Sequence, residues 1–288
     1  MTTPVVVCGP TGAGKSAFAL ELAVRWDAIV VSMDAMAVYR GLDIGTAKPS
    51  ASDRQRVPHL GLDVVEPTQH FDAADFVRLA IAAVDHHPRV IICGGTHLYL
   101  RALHLGLSHT PPVSPTLRSA IERENDLHGW LQRVDPKLAA RLHPNDRVRL
   151  VRGLEVFLLT GRRLSDLHAE QVGGREVLAV WVDHADLDAR LKLRTEEMLA
   201  AGWLAEVESL LERGVPRDCR PMRGLGYRNL VDVVNGLCSL SDATNQITID
   251  TRRFAKKQRT WRNHFGWPVS SQVAADLERV AHVAWEVR

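Results

Sequence analysis

Residues Gly9-Pro10-Thr11-Gly12-Ala13-Gly14-Lys15-Ser16 have the spacing GxxxxGK[ST]. Glycines let successive backbone N–H groups turn inward around phosphate oxygens. A helix opening at the lysine adds a partial positive charge, Lys15 adds a full one, and Ser16 offers a hydroxyl to magnesium. The chemistry is anion binding. On its own the loop suggests ATP, but it does not identify the molecule that carries the phosphate.

Other segments bring reactive groups to the same place. "VVSMD" sets Asp34 just past one apolar run, and "CGGT" sets Gly94, Gly95 and Thr96 just past another. If those runs are parallel strands, their C-terminal ends share one edge, where ligands bind. A carboxylate there can take a proton from a nucleophile, hold magnesium, or cap a turn. "PMRGLGYRNL", residues 221–230, holds Arg223 and Arg228 among glycines. A guanidinium so held can grip a diphosphate bidentately, or simply decorate a loop.

"TRRFAKKQRTWRNHF" carries Arg252, Arg253, Lys256, Lys257, Arg259 and Arg262 with no acid between them. Phe254, Trp261 and Phe265 fall on one face of a helix. A solvated face with an aromatic seam is one reading. A single-sign run with aromatics also suits a nucleic-acid backbone. A second basic cluster gathers Arg141, Arg147, Arg149 and Arg152.

The elements that must position these groups follow from periodicity. "PVVVCG", "AIVVSMD" and "RVIICGG" are short continuous apolar runs. "KSAFALELAVRW" and "DAADFVRLAIAAVDHH" carry apolar residues at helical spacing, the latter with Asp72 as N-cap, and "THLYLRALHLG" reads as a further helix. The alternation implies an α/β fold with a parallel sheet covered on both faces, the first part of a phosphate-loop core over residues 1–109. From Thr110 the texture changes to prolines and then helices, the first opened by Ser114 and Pro115. No strand-like run interrupts them, which predicts a helical insertion at 110–171. "EVLAVWVDH" returns to a strand. Residues 172–288 complete the core with a helical stretch interrupted at Gly202, the basic helix and an amphipathic final segment, "VAADLERVAHVAWEV".

Composition excludes some classes. Hydrophobic residues at 45% and charged residues at 24% are ordinary for a soluble globular protein. No run approaches the ~18 apolar residues of a membrane span. No basic region precedes the first apolar run, so no signal peptide is expected. The four cysteines are widely spaced without CxxC, which favours free thiols in a reducing compartment, the cytoplasm, over disulfides or zinc. The 13 histidines form no HExxH pair. A net charge of +2 is too small to imply a polyanionic partner by itself; the distribution of charge matters more.

The phosphate loop, "SMDAMAVYRGLDIGTAKPS", "VPHLGLDVVEP", "FDAADF", "GGTHLYLRAL", "HPNDRVRLVRGLEVFLLTG", "RGLGYRNL" and "TRRFAKKQRTW" together resemble the motif series of bacterial tRNA dimethylallyltransferases, in family order over about residues 4–265. The resemblance implies a P-loop NTPase-like core with a tRNA-facing helical insertion, magnesium as cofactor, and action on two partners. These are dimethylallyl diphosphate and the tRNA anticodon stem-loop. It implies prenyl transfer to the exocyclic amine of the adenosine 3′ of the anticodon, the loop holding the donor's diphosphate rather than ATP. Nothing in the sequence demands an interface, so a monomer is expected. By position, Thr11, Gly12, Ala13, Gly14, Lys15 and Ser16 would bind diphosphate, with Ser16 at the metal. Arg223 would clamp the leaving group and Asp34 would be the general base. Asp34, Ala35, Met36, Ala37, Thr96, Arg118, Asn145, Asp146, Arg147, Val148 and Arg149 match tRNA-contact segments. Lys256 and Lys257 of the basic helix would join them. The chain departs from the family where Ala35 and Ala37 stand in place of the frequent Ser and Gln, so those two side chains offer no hydrogen bonds. A phosphate-loop small-molecule kinase is the alternative; it would leave the insertion and the basic segments idle. A GTPase switch lacks its NKxD sequence.

Overall fold

The computed structural model describes residues 3–262, 279 and 281–285. Phe265 and most of the final amphipathic segment lie outside the described residues.

The first apolar run forms β1 (Val5–Cys8), every residue of it buried. Gly14, left-handed at φ 93°, then opens α1 (Lys15–Trp26). The second run is β2 (Ile29–Ser32). It leads through α2 (Ala51–Arg56) to the two-residue β3 (His59–Leu60), which is too short to show a period. Asp72 caps α3 (Ala73–His86) by accepting from Ala74 N and Asp75 N, and the Asp75 side chain answers with a reciprocal bond to the cap. The third run is β4 (Val90–Gly94), followed by α4 (His97–Leu105).

The chain divides into two compact units, one of residues Met1–Arg101 with Glu176–Arg288 and the other of Ala102–Arg175. The second unit contains β5 (Gly106–Leu107), α5 (Pro115–Ile121), α6 (Leu127–Val134), α7 (Pro136–Ala139), α8 (Arg147–Thr160), α9 (Leu164–Ala169) and β6 (Val172–Gly173). Its core gathers Leu131, Leu150, Leu154 and Val156, all fully buried. It is wider than the expected 110–171 and it is not purely helical. Gly106 pairs with Gly173 and Leu107 with Val172, antiparallel. This ladder ties the two ends of the unit, and it needs glycine: a Cβ on Gly106, at φ 88°, would meet Val172 O at 2.2 Å. Strands of two residues leave no alternation for the sequence to show.

The first unit resumes with β7 (Leu178–Trp181), α10 (Leu187–Ala200), α11 (Trp203–Glu212), α12 (Tyr227–Val234) and α13 (Leu240–Arg262). Its sheet has the order β3-β2-β4-β1-β7 and every pairing is parallel. The register sets Cys8 beside Gly94 on one side and beside Trp181 on the other. The chain fills one side of β1 first and then adds β7 on the other. The strand order therefore reverses at β1, and the crevice of such a sheet opens at the C-terminal end of that strand. This is a P-loop NTPase-like core. Gly9 must be glycine there, since a Cβ would lie 1.9 Å from Val182 O.

Candidate active site

The phosphate loop sits at that crevice, closed on itself through Lys15 and held from outside by α13 and α10. Lys15 is buried and its Nζ donates to Pro10 O at 2.7 Å. Burial pulls its pKa down, and Arg194 adds to this, while Cys93 and Asp34 work against it. Thr11 N donates to Gln258 Oε1 at 2.8 Å, and Gln258 Nε2 donates to Gly95 O at 2.9 Å. One buried amide on α13 thus bridges the loops that follow β1 and β4. Arg190 Nε donates to Gly12 O at 3.0 Å from α10. Ser16 is exposed at the first turn of α1.

Asp34 follows β2 and shapes its own turn. Its Oδ1 accepts from Met36 N at 2.7 Å and Ala37 N at 3.2 Å. Ala35 N donates to Thr96 Oγ1 at 3.0 Å, and Thr96 N donates to Met33 O at 3.2 Å. The turn after β2 is therefore laced to the loop after β4, and Asp34 is a turn cap as well as a carboxylate on the crevice. The backbone amides of Ala35 and Ala37 are engaged although their side chains offer nothing.

A cavity of about 810 Å3 opens over these loops. Thr11, Lys15, Ser16, Asp34, Ala35, Met36, Ala37, Thr96 and Lys257 line it. Gly12, Ala13 and Gly14 contribute loop backbone beneath it and are not among its lining residues. Arg223 is exposed in a turn whose next residue, Gly224, does line the cavity. A Cβ on Gly224 would meet Met36 Cε at 2.5 Å, so this turn packs directly on the Asp34 turn. Lys256 is exposed and outside the lining. Arg118 and Asn145, Asp146, Arg147, Val148 and Arg149 belong to the second unit. There Asp146 caps α8 through Arg149 N, and Val148 is exposed.

The basic helix differs from its sequence in one respect. Tertiary structure supplies two of the missing acids, Asp183 for Arg259 at 2.7 Å and Asp188 at 3.9 Å from Arg252, while Asp250, one turn earlier on the same helix, lies 3.5 Å from Arg253. Lys256, Lys257 and Arg262 make no ion pair among the described residues. Phe254 is not in a packed seam; it is 42% exposed and, with Trp261, lines the cavity.

The model of the IPP transferase family matches residues 37–265. The chain belongs to the IPP transferase family. It is 45% identical over 274 residues to tRNA dimethylallyltransferase 1 of Syntrophotalea carbinolica, covering 90% of this chain and 87% of that protein. It is 42% identical over 275 residues to the tRNA dimethylallyltransferase of Geobacter sulfurreducens, covering 90% and 88%. The solved tRNA delta(2)-isopentenylpyrophosphate transferase of Staphylococcus epidermidis matches with a TM-score of 0.70 and 27% identity over 100% of both chains. A eukaryotic dimethylallyltransferase acting on tRNA matches with a TM-score of 0.77 and 26% identity over 91% of this chain and 70% of that one.

In this IPP transferase, "LDIGTAKP" builds one wall of the cavity. Glu206 on α11 accepts from Asp43 N and Ile44 N, both at 2.7 Å, from Gly45 N at 3.3 Å and from Tyr227 OH at 2.7 Å. The Lys48 side chain is 1% exposed and donates to Tyr39 O, Asp43 and Asp63. Sequence reasoning missed Gln258, Arg194, Glu206 and His97. Only His97 had a signal, its place beside Thr96. Its ring is buried and stacks against Trp181 at 5.2 Å and Trp261 at 6.3 Å. Burial, with Lys15 in support, lowers its pKa to about 4, so it is neutral at neutral pH. Burial pushes the Cys8 thiol up to about 12 and Cys93 to about 11, so neither is a nucleophile.

Proposed function

We propose that this IPP transferase carries the dimethylallyl group of dimethylallyl diphosphate to the exocyclic amine of the adenosine 3′ of the tRNA anticodon, and releases diphosphate. The observation that carries the reading is one cavity that joins a phosphate loop, a turn-held carboxylate and an aromatic, basic helix face. The amine nitrogen attacks the allylic carbon as its C–O bond breaks. The bonding pair leaves with the diphosphate, and the amine proton goes to Asp34. The bonds from Met36 N and Ala37 N fix that carboxylate in place, which favours it as general base.

Positive charge develops on the prenyl group and negative charge on the diphosphate. Lys15 and those loop amides of residues 11–16 that are not already bonded within the protein would meet the latter, where preorganised donors lower the barrier directly. Arg223, on the turn packed against Met36, clamps the leaving group. Magnesium is the cofactor we assign. The exposed Ser16 hydroxyl on the cavity is a hard oxygen donor, which magnesium combines with water and phosphate oxygens. Bound there, the ion would neutralise diphosphate charge.

The adenine leaves its stack in the single-stranded anticodon loop to reach the cavity. Thr96 and residues 34–37 meet it, with Lys256 and Lys257 for the backbone. Arg118 and residues 145–149 serve the stem-loop from the second unit. Action as a monomer is part of this reading. No described helix is long and apolar enough to cross a membrane, and the four cysteines are free, which suits the cytoplasm.

Labelled dimethylallyl diphosphate and tRNA lacking the modification supply the test. Prenylated adenosine and stoichiometric diphosphate, without ATP, are expected. ATP-dependent phosphoryl transfer with no prenylated product would overturn the reading.

A further inference from the structure

Helix α10 presents two arginines, Arg190 and Arg194, one turn apart and so on one face. The helix is seated on the phosphate loop. Leu187 and Leu191 are buried, and a Cβ on Gly12 would meet a Leu191 methyl at 2.6 Å. Arg190 is committed to the loop backbone through Gly12 O. Arg194 is not committed to anything. It is half-buried, it lines the cavity beside Lys15 and Ser16, and it makes no hydrogen bond or ion pair with any described residue.

Its charged surroundings do not neutralise it. Lys15 and Arg190 repel it; Asp34 and Glu197 attract it without contact. Burial works against its charge, with Asp34 opposing that effect. A guanidinium cannot respond by losing its proton, and a desolvated cation without a partner is costly. The cost is removed when an anion with several oxygens sits between Arg194 and Lys15. A planar fork of N–H donors fits a phosphate oxygen pair.

We propose that Arg194 is a diphosphate-binding residue of this enzyme, reaching from α10 over the phosphate loop to the donor and then to the leaving group. This rests on the prenyl-transfer reading above for the identity of the anion. As the C–O bond breaks, one more unit of negative charge gathers on the diphosphate, and a fixed guanidinium meets it without reorganisation.

The test is calorimetric titration of the full chain with inorganic pyrophosphate and magnesium, on wild type, Arg194→Gln and Arg194→Lys. Loss of one charge-assisted contact predicts about 10- to 100-fold weaker pyrophosphate binding in the Gln variant. The Lys variant should recover part of it, and tRNA affinity and melting temperature should stay at wild-type values. In transfer assays the Gln variant should show a raised donor KM and a lowered kcat. Unchanged pyrophosphate affinity in Arg194→Gln overturns the proposal. So does a parallel loss of tRNA affinity and thermal stability, which marks a purely structural arginine. A wild type whose pyrophosphate binding depends on Arg194 but which makes no prenylated tRNA would sink the transfer reading and leave the anion site standing.

Discussion

The arginines around Glu155 in the second unit and the cations beside the phosphate loop in the first are partnered in opposite ways. On α5 and α8 of the second unit the arginines are matched to acceptors. Arg118 and Arg152 both bind the fully buried Glu155, at 2.9 and 2.6 Å, and Ser114 N donates to its other oxygen. Arg149 binds Asp146, and Arg147 donates to Glu122 O. At the cavity of the first unit, Lys15 is met only by a carbonyl, and Arg194 and Lys257 have no acid partner among the described residues. Matched charge holds structure together, and only the donors left over can also serve a stem-loop. Unmatched charge beside the opening of a helix waits for an anion.

If that contrast is right, substitutions at the cavity should affect catalysis, whereas those at Glu155 should affect folding. The largest effect is expected at Asp34. Asp34→Asn keeps the acceptor for Met36 N and Ala37 N but removes the base, so single-turnover transfer should slow by roughly a hundred- to ten-thousand-fold with tRNA affinity near wild type. A near-normal rate in rapid-quench experiments would remove Asp34 from the chemistry. Lys15→Ala comes next. Losing one preorganised cation predicts a rate roughly a hundred- to a thousand-fold lower, with weaker donor binding and little change in melting temperature. An unchanged rate at both limiting and saturating donor would contradict the role.

Glu155→Gln should reverse the pattern. It leaves Arg118 and Arg152 beside an uncharged group, and a cost of about 3 kcal/mol is expected in denaturant unfolding, the low end because both guanidiniums reach solvent. Wild-type stability would mean the buried charge does not hold the unit. Glu155 also carries an acid-sensitive contribution. Burial raises its pKa, but Arg152, Ser114 N and Arg118 together bring it below the ordinary glutamate value. That stability is present above the unfolded pKa and is lost as pH falls through the folded one. The smallest effect concerns His97. Its folded pKa of about 4 lies below the ordinary 6.5, so the folded state binds fewer protons. Its contribution is complete above 6.5 and declines as pH falls toward 4. His97→Phe should flatten melting temperature against pH in that window; an unaltered slope would show that burial does not hold the ring neutral.

Much of the site was legible because its chemistry is local. GxxxxGKS between an apolar run and a helix needs no distant partner, and Asp34 and Thr96 each end a run that reads as a strand. Arg223 had a recognisable turn, and the motif series pointed to the family. Arg194 gave no such signal, because "RLKLR" in a helix looks like any solvated face. Gln258 and Glu206 were hidden for the same reason: each acts by contacting backbone far along the chain, Gln258 at Thr11 and Gly95, Glu206 at residues 43–45.

By itself, then, the sequence determined the phosphate loop, the strand-edge residues, the parallel core and the family, since periodicity and short-range turn chemistry are encoded in neighbouring residues. Only the tertiary structure decided which cations are neutralised and which stay available, that Phe254 faces the cavity, and that a two-residue ladder closes the second unit. Those outcomes depend on contacts between residues separated by up to hundreds of positions. Burial and charge pairing are properties of what surrounds a side chain, and no local pattern records them.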